Sequence, residues 1–111
     1  FGNNDGDTFL LSTIAAKYRH VTLHGHMAEL ELGGRRIAIN HYPDISRPLA
    51  LSGLYDAVFS GHDHKRYQEQ PGKTLWANPG EIMGRFGSPS FGLYETEPGT
   101  FRHVDVTTPA R

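Results

Sequence analysis

The sequence predicts a mixed α/β (α+β) domain. Three observations carry that expectation: two stretches with helical spacing, a hairpin signal around paired glycines, and short apolar runs that end in polar loops. Residues 8–19, TFLLSTIAAKYR, hold Leu10, Leu11, Ile14, Ala15 and Tyr18 at three- and four-residue intervals. That spacing places them on one helical face, and Asp7 or Thr8 can cap the start. Residues 21–32 and 35–40 alternate on either side of Gly33-Gly34. Two glycines accept positive φ at both corners of a tight turn, so these runs read as hairpin arms. Leu30, Leu32, Ile37 and Ile39 would share one side. Residues 47–55 read as a second helix with Pro48 in its first turn. Residues 56–60 and 73–77 are compact apolar runs of the kind found in buried strands. Residues 90–96 and 101–107 alternate around Glu97-Pro98-Gly99 and read as a terminal hairpin, and residues 108–111 as a frayed end.

The bulk properties narrow the class. A length of 111 residues suits one domain, 1–111, with a real core. Eleven basic and twelve acidic residues leave a formal charge of −1. That balance supplies no basic field for nucleic acid and no basic helix for a membrane surface. No apolar run reaches the roughly 20 residues of a membrane helix, and no signal-peptide pattern is present. The absence of Cys removes disulfides and thiolate-bound zinc and fits a cytoplasmic protein. Seven His are the compositional outlier. The chain opens on Phe1 rather than Met, so the natural chain is expected to begin upstream or to have been cut.

Four polar segments concentrate the chemistry: Gly2-Asn3-Asn4-Asp5, Asn40-His41-Tyr42-Pro43, Gly61-His62-Asp63-His64 and Asn78-Pro79-Gly80. Each follows or interrupts an apolar run, which places it in a loop at a strand end, where α/β folds keep their chemistry. His62 and His64 lie directly after the 56–60 run. They read either as a pair of metal ligands or as surface His in a turn. His41 ends the second hairpin arm and meets a Tyr-Pro turn; alone it reads as structural. Asn3 offers a weak neutral oxygen inside a run of turn formers. Together Asn3, His41, His62 and His64 form a donor set that suits borderline divalent metals. Carboxylates, the usual companions of such ligands, are not among them.

Other polar residues carry less. His24-Gly25-His26 falls in the middle of a hairpin arm and reads as surface or substrate-rim His. His20 and His103 have no partners in sequence. Asn78-Pro79-Gly80 reads as a tight turn that shapes the floor of a site. Arg85 either meets a phosphate with its planar fork or faces solvent.

The series GNND, HYP after a Gly-Gly hairpin, GHDH and NPG resembles the calcineurin-like metallophosphoesterases, and among them the small phosphodiesterases of the YfcE-like group. The likeness runs from residue 2 to about residue 107. It implies part of an α/β/β/α sandwich with two mixed sheets. It also implies two divalent metals, drawn from manganese, iron, nickel and zinc, which activate a bridging water for in-line attack on a small phosphodiester. By the same resemblance Asn3, His41 and His62 ligate one metal and His64 the other. Asn4 stands where many members carry a His; Asn78 and Gly80, with Arg85 where its fork meets the phosphate, are the expected substrate contacts. The family's Asp-x-His and Gly-Asp-x-x-Asp motifs, with its first strands, do not occur in this sequence. The resemblance therefore implies that a further N-terminal segment or a second chain completes the site, and that a sheet edge is open. A truncated or degenerate relative, binding metal or a partner without turnover, is the competing expectation. A general α/β binding domain with incidental His is the third.

Overall fold

The computed structural model describes residues 1–107, so the expected fray at 108–111 lies outside the described residues. The elements are α1 (Thr8–Ala15), β1 (Met27–Leu32), β2 (Arg35–Asn40), α2 (Pro43–Leu51), β3 (Ala57–Phe59), β4 (Arg66–Glu69), β5 (Leu75–Pro79), β6 (Ser90–Glu95) and β7 (Thr100–Asp105). The mixed α/β class expected from the sequence is what the chain adopts.

Five strands form one sheet in the order β1-β2-β3-β5-β4, and β6 and β7 form a second. β2, β3 and β5 are mutually parallel, while β1 and β4 pair antiparallel at the two edges. Gly33 and Gly34 take φ of 55° and 78°, so the turn between β1 and β2 is made as the glycine pair requires. Leu30 faces Ile37 across that hairpin. Alternation then puts Ile37, Ala57, Leu75 and Ala77 on one face of the sheet, where Phe101 of β7 covers them. The opposite face presents Ala38, Val58 and Trp76 to Ala50 of α2 and to Tyr55. The result is helix on sheet on sheet, with each buried aromatic contributing roughly 1.5–3 kcal/mol.

Several boundaries differ from expectation. α1 ends at Ala15, not Arg19, because Lys17 and Tyr18 close i→i−3 bonds to Ile14 and Ala15 and tighten the chain out of the α-helix. Its N-cap is Asp7, which accepts from the Leu10 amide at 2.9 Å. The apolar face of α1 is real but uncovered: the helix has no buried residue. β1 starts only at Met27, so His24-Gly25-His26 lies in a turn before the strand, with Gly25 at φ 76°, and not within a hairpin arm. α2 runs from Pro43 to Leu51, four residues earlier than 47–55. Pro43 begins the helix rather than a turn, since its fixed φ suits the first helical position. β5 is Leu75–Pro79 rather than 73–77, so Asn78 and Pro79 belong to a strand and not to a tight turn. β4, RYQE, was not expected. It lacks apolar alternation and exists through its main-chain ladder to β5. Among the described residues no helix is long and apolar enough to cross a membrane.

Candidate metal centre

Because β2, β3 and β5 run in the same direction, the segments that follow them emerge at one end of the sheet. His41 follows β2, Gly61–His64 follows β3, and Gly80-Glu81 follows β5. The Gly61 amide donates to the His41 carbonyl at 3.0 Å and ties two of these loops together. The turn carrying Asn3 closes over them. Gly2 makes that approach possible, since a Cβ there would stand 2.8 Å from the His41 ring.

Three donor atoms converge at this end. His41 Nε2 lies 2.7 Å from Asn3 Oδ1. His62 Nδ1 lies 3.3 Å from the same oxygen and 3.2 Å from His41 Nε2. Ligands held at about 2.0–2.1 Å stand roughly 2.8–3.0 Å apart around an octahedral cation and roughly 3.3–3.4 Å apart around a tetrahedral one, so the two separations to His62 suit a common divalent ion and the Asn3–His41 pair needs to open by only about 0.1 Å or more. Tyr42 backs the pair, its ring centroid 5.0 Å from that of His41 and 4.9 Å from that of His62.

His64 points to a different partner. Its Nδ1 lies 2.6 Å from Oε2 of Glu81. The other oxygen of that carboxylate accepts from the Gly87 amide at 2.6 Å and from the Phe86 amide. Burial works to raise the Glu81 carboxyl, but the His64 ring and the two amides outweigh it and hold it below its ordinary value. Phe86 sets its ring edge against His64 at 5.1 Å between centroids, and the Arg85 guanidinium lies over Phe86 at 4.9 Å.

The loop that presents both His is strained. His62 and His64 take φ of 72° and 61°, the two non-glycine residues with positive φ among the described residues. Such conformations persist where surrounding contacts over-determine them, and they concentrate at functional sites. Those contacts come from Asn78, which is fully buried. Its Nδ2 donates to the Gly61 carbonyl at 3.1 Å and to Asp63 Oδ1 at 2.8 Å. Its Oδ1 accepts from the Gly80 amide at 2.9 Å, and its carbonyl accepts from His103 Nε2 at 2.8 Å.

A cleft of about 260 Å³ opens between these loops, lined by His41, His62, His64, Glu81, Ile82 and Met83. A family model, the calcineurin-like phosphoesterase superfamily domain, matches residues 1–99. The chain belongs to the calcineurin-like phosphoesterase superfamily. A phosphodiesterase of Methanocaldococcus jannaschii is 30% identical to this calcineurin-like domain over 107 residues, 94% of this chain and 64% of that protein. A solved archaeal phosphodiesterase has 29% identity and a TM-score of 0.84 over 96% of this chain and 66% of its own. The chain thus spans about two thirds of the length of these relatives. The Vps29 protein of Entamoeba histolytica, solved with zinc, is 18% identical with a TM-score of 0.54 over 77% of this chain and 63% of its own. That likeness speaks to the fold alone.

Within this calcineurin-like domain the structure brings Asn3, His41 and His62 together and sets His64 on the same cleft with Glu81. Asn4 is exposed in the turn that carries Asn3, and Gly80 lines the cleft. Arg85 is exposed beside Phe86. Asn78, expected at the substrate, is instead enclosed: all of its side-chain hydrogen bonds go to the loops it supports. His24 and His26 flank a neighbouring cavity that reaches His41, and His103 is structural. Sequence reading passed over Glu81. Its signal was adjacency, since it is the residue directly after Asn78-Pro79-Gly80.

The His41 ring is held below the ordinary imidazole value of 6.5, first by burial and then by His62, with Asp5 offsetting part of the shift. The unfolded chain therefore takes up this proton more readily than the folded one. The corresponding stability is complete above 6.5 and is lost as pH falls through the folded value. Chelator-treated protein is expected to lose urea midpoint more steeply between about pH 7 and pH 5 than the His41→Gln variant does. Parallel curves for the two would assign the loss to other groups.

Proposed function

We propose that this chain carries the imidazole-rich half of a metal-dependent phosphodiester hydrolase. The observation that supports this reading best is the convergence of Asn3 Oδ1, His41 Nε2 and His62 Nδ1 within 3.3 Å of one another. In this reading those three atoms hold one divalent cation, and His64 Nε2 is a ligand of a second. Manganese, iron, nickel and zinc all accept such donors. Bound divalent cations supply positive charge to phosphoryl oxygens and acidify water near neutral pH. One imidazole cannot hold a cation by itself, so the remaining ligands are assigned to a further segment or a second chain.

The chain's own residues then divide the work. Asn4 donates a hydrogen bond to a phosphoryl oxygen but cannot give up a proton near neutral pH. That favours diesters whose leaving group departs without a strong acid. Arg85 presents a planar fork to the phosphate from the rim. Ile82, Met83 and Phe86, exposed by 63%, 67% and 71%, form an apolar rim for the ester substituent. Asn78 and Asp63 hold the two His in place, and Gly80 leaves the cleft floor open.

A second reading has its own support. Two imidazoles and one amide oxygen meet among the described residues, a neutral set that would hold one cation weakly, as in a relative that binds one cation, or a partner, without turnover. Metal content and hydrolysis of bis(p-nitrophenyl) phosphate separate the two. In the presence of the segment or second chain that supplies the remaining ligands, the hydrolase reading expects close to two equivalents of metal and turnover that His62→Ala abolishes. The second expects one weak equivalent and no turnover. Uptake that His62→Ala leaves unchanged would sink both.

A further inference from the structure

Glu81 is the one Asp, Glu, His, Lys or Arg in the buried set of described residues, 7% exposed. A carboxylate seldom occupies such a place unless paired and hydrogen-bonded. The partners of its carboxylate all belong to the candidate site or its rim. Oε1 accepts from the amides of Phe86 and Gly87, and Oε2 lies 2.6 Å from His64 Nδ1. Phe86 returns its ring edge to His64 at 5.1 Å, so the imidazole is braced on one side by the carboxylate and on another by the aromatic ring.

The geometry points to Glu81 as the positioning residue that keeps the His64 proton on Nδ1 and leaves the Nε2 lone pair free to ligate. The inference rests on the proposed metal-dependent reading and adds a residue to it. An ionised carboxylate has no proton to give, so the nitrogen facing it must donate. In a neutral imidazole with Nδ1 protonated, Nε2 is the acceptor. Carboxylate partners of this kind fix the ring orientation of metal-bound His and raise its basicity, and their loss costs ~10–100-fold in affinity.

The asymmetry of the two Glu81 oxygens makes the inference unusually testable. In Glu81→Gln the side-chain oxygen stays opposite the Phe86 and Gly87 amides, because only an acceptor satisfies two N–H groups. The amide nitrogen must then face His64. It donates to Nδ1, which becomes an acceptor, and the imidazole proton moves to Nε2. An isosteric change that spares the loop thus blocks the ligating nitrogen.

The experiment uses the full chain labelled with ¹⁵N, first alone and free of metal, then titrated with zinc together with the segment or second chain that supplies the remaining ligands. Long-range ¹H–¹⁵N spectra report which ring nitrogen of His64 is protonated. The parent is expected to carry the proton on Nδ1, and Glu81→Gln on Nε2, with the Phe86 and Gly87 amides little moved. The zinc concentration that half-shifts His64 Nε2 is expected to rise at least ~10-fold in the variant. A parent protonated on Nε2 overturns the inference and needs no variant, so it holds even if Glu81→Gln folds poorly. A variant that keeps its proton on Nδ1 overturns it as well. If the proton moves as expected but zinc shifts neither protein's His64, the tautomer assignment stands. What fails in that case is the assignment of His64 as a ligand, and with it the two-cation reading.

Discussion

Asn78→Asp is expected to destabilise the chain by about 3–5 kcal/mol, the scale for a buried charge without a partner. The side chain at position 78 is fully buried, and its Nδ2 supplies both hydrogen bonds that hold the His62–His64 loop. Exchanging that nitrogen for oxygen sets a carboxylate against the Gly61 carbonyl and the Asp63 carboxylate. Three acceptors then meet with no donor among them. A domain of this size has a stability of only ~5–15 kcal/mol, so the urea midpoint should fall by about a fifth or more. Two features identify the cause. The deficit should shrink as pH falls, because a protonated carboxyl at position 78 regains a donor. It should also shrink in the Asp63→Asn background, where an amide can donate in the reverse direction. A loss below about 1 kcal/mol, or one indifferent to Asp63, would show that the loop is not held in this way.

His62→Gly is expected to act in opposite directions on stability and on metal affinity. His62 is exposed and sits at φ 72°, a conformation that costs a side-chain-bearing residue roughly 1–2 kcal/mol. Glycine removes that cost, and its greater freedom in the unfolded chain returns part of it. A net gain of about 0.5–1 kcal/mol remains, worth a few degrees in Tm. Zinc affinity should fall by more than 100-fold, since a structural zinc site releases ~10–16 kcal/mol over four ligands, or roughly 3 kcal/mol for each. Melting in chelator and calorimetric zinc titration read the two effects separately. A variant that melts lower in chelator would mean the loop conformation is unstrained. Unchanged zinc affinity would remove His62 from the ligand set.

Much of this arrangement was legible in the sequence because it rests on local chemistry. The Gly33-Gly34 turn, the compact run before Gly61, and the β6–β7 hairpin each carry their own signal. Two of the four polar segments, Asn40–Pro43 and Gly61–His64, stand at strand ends as read, whereas Gly2–Asp5 follows no strand among the described residues and Asn78-Pro79 lies within β5. Reading failed where a partner far along the chain decides the outcome. β4 has no pattern of its own and is defined by β5. Asn78 looked like a turn residue beside Pro79, yet the ladder to Arg66 and Tyr67 draws it into a strand. There its amide faces Gly61 and Asp63 rather than the cleft. Pro43 read as part of a turn and is a helix start. Glu81 became meaningful only when folding brought it to His64, 17 residues away.

The uncovered helix has a consequence for the order in which this site comes together. α1 has no buried side chain, and the turn bearing Asn3 leads directly into it. His41 and His62, by contrast, are anchored through β2, β3 and the bond between Gly61 and His41. Segments with few buried contacts open at small free-energy cost while the sheet stays closed. The two imidazoles therefore stand on the sheet through β2 and β3, while the amide oxygen is held by a segment whose helix buries nothing within the described residues.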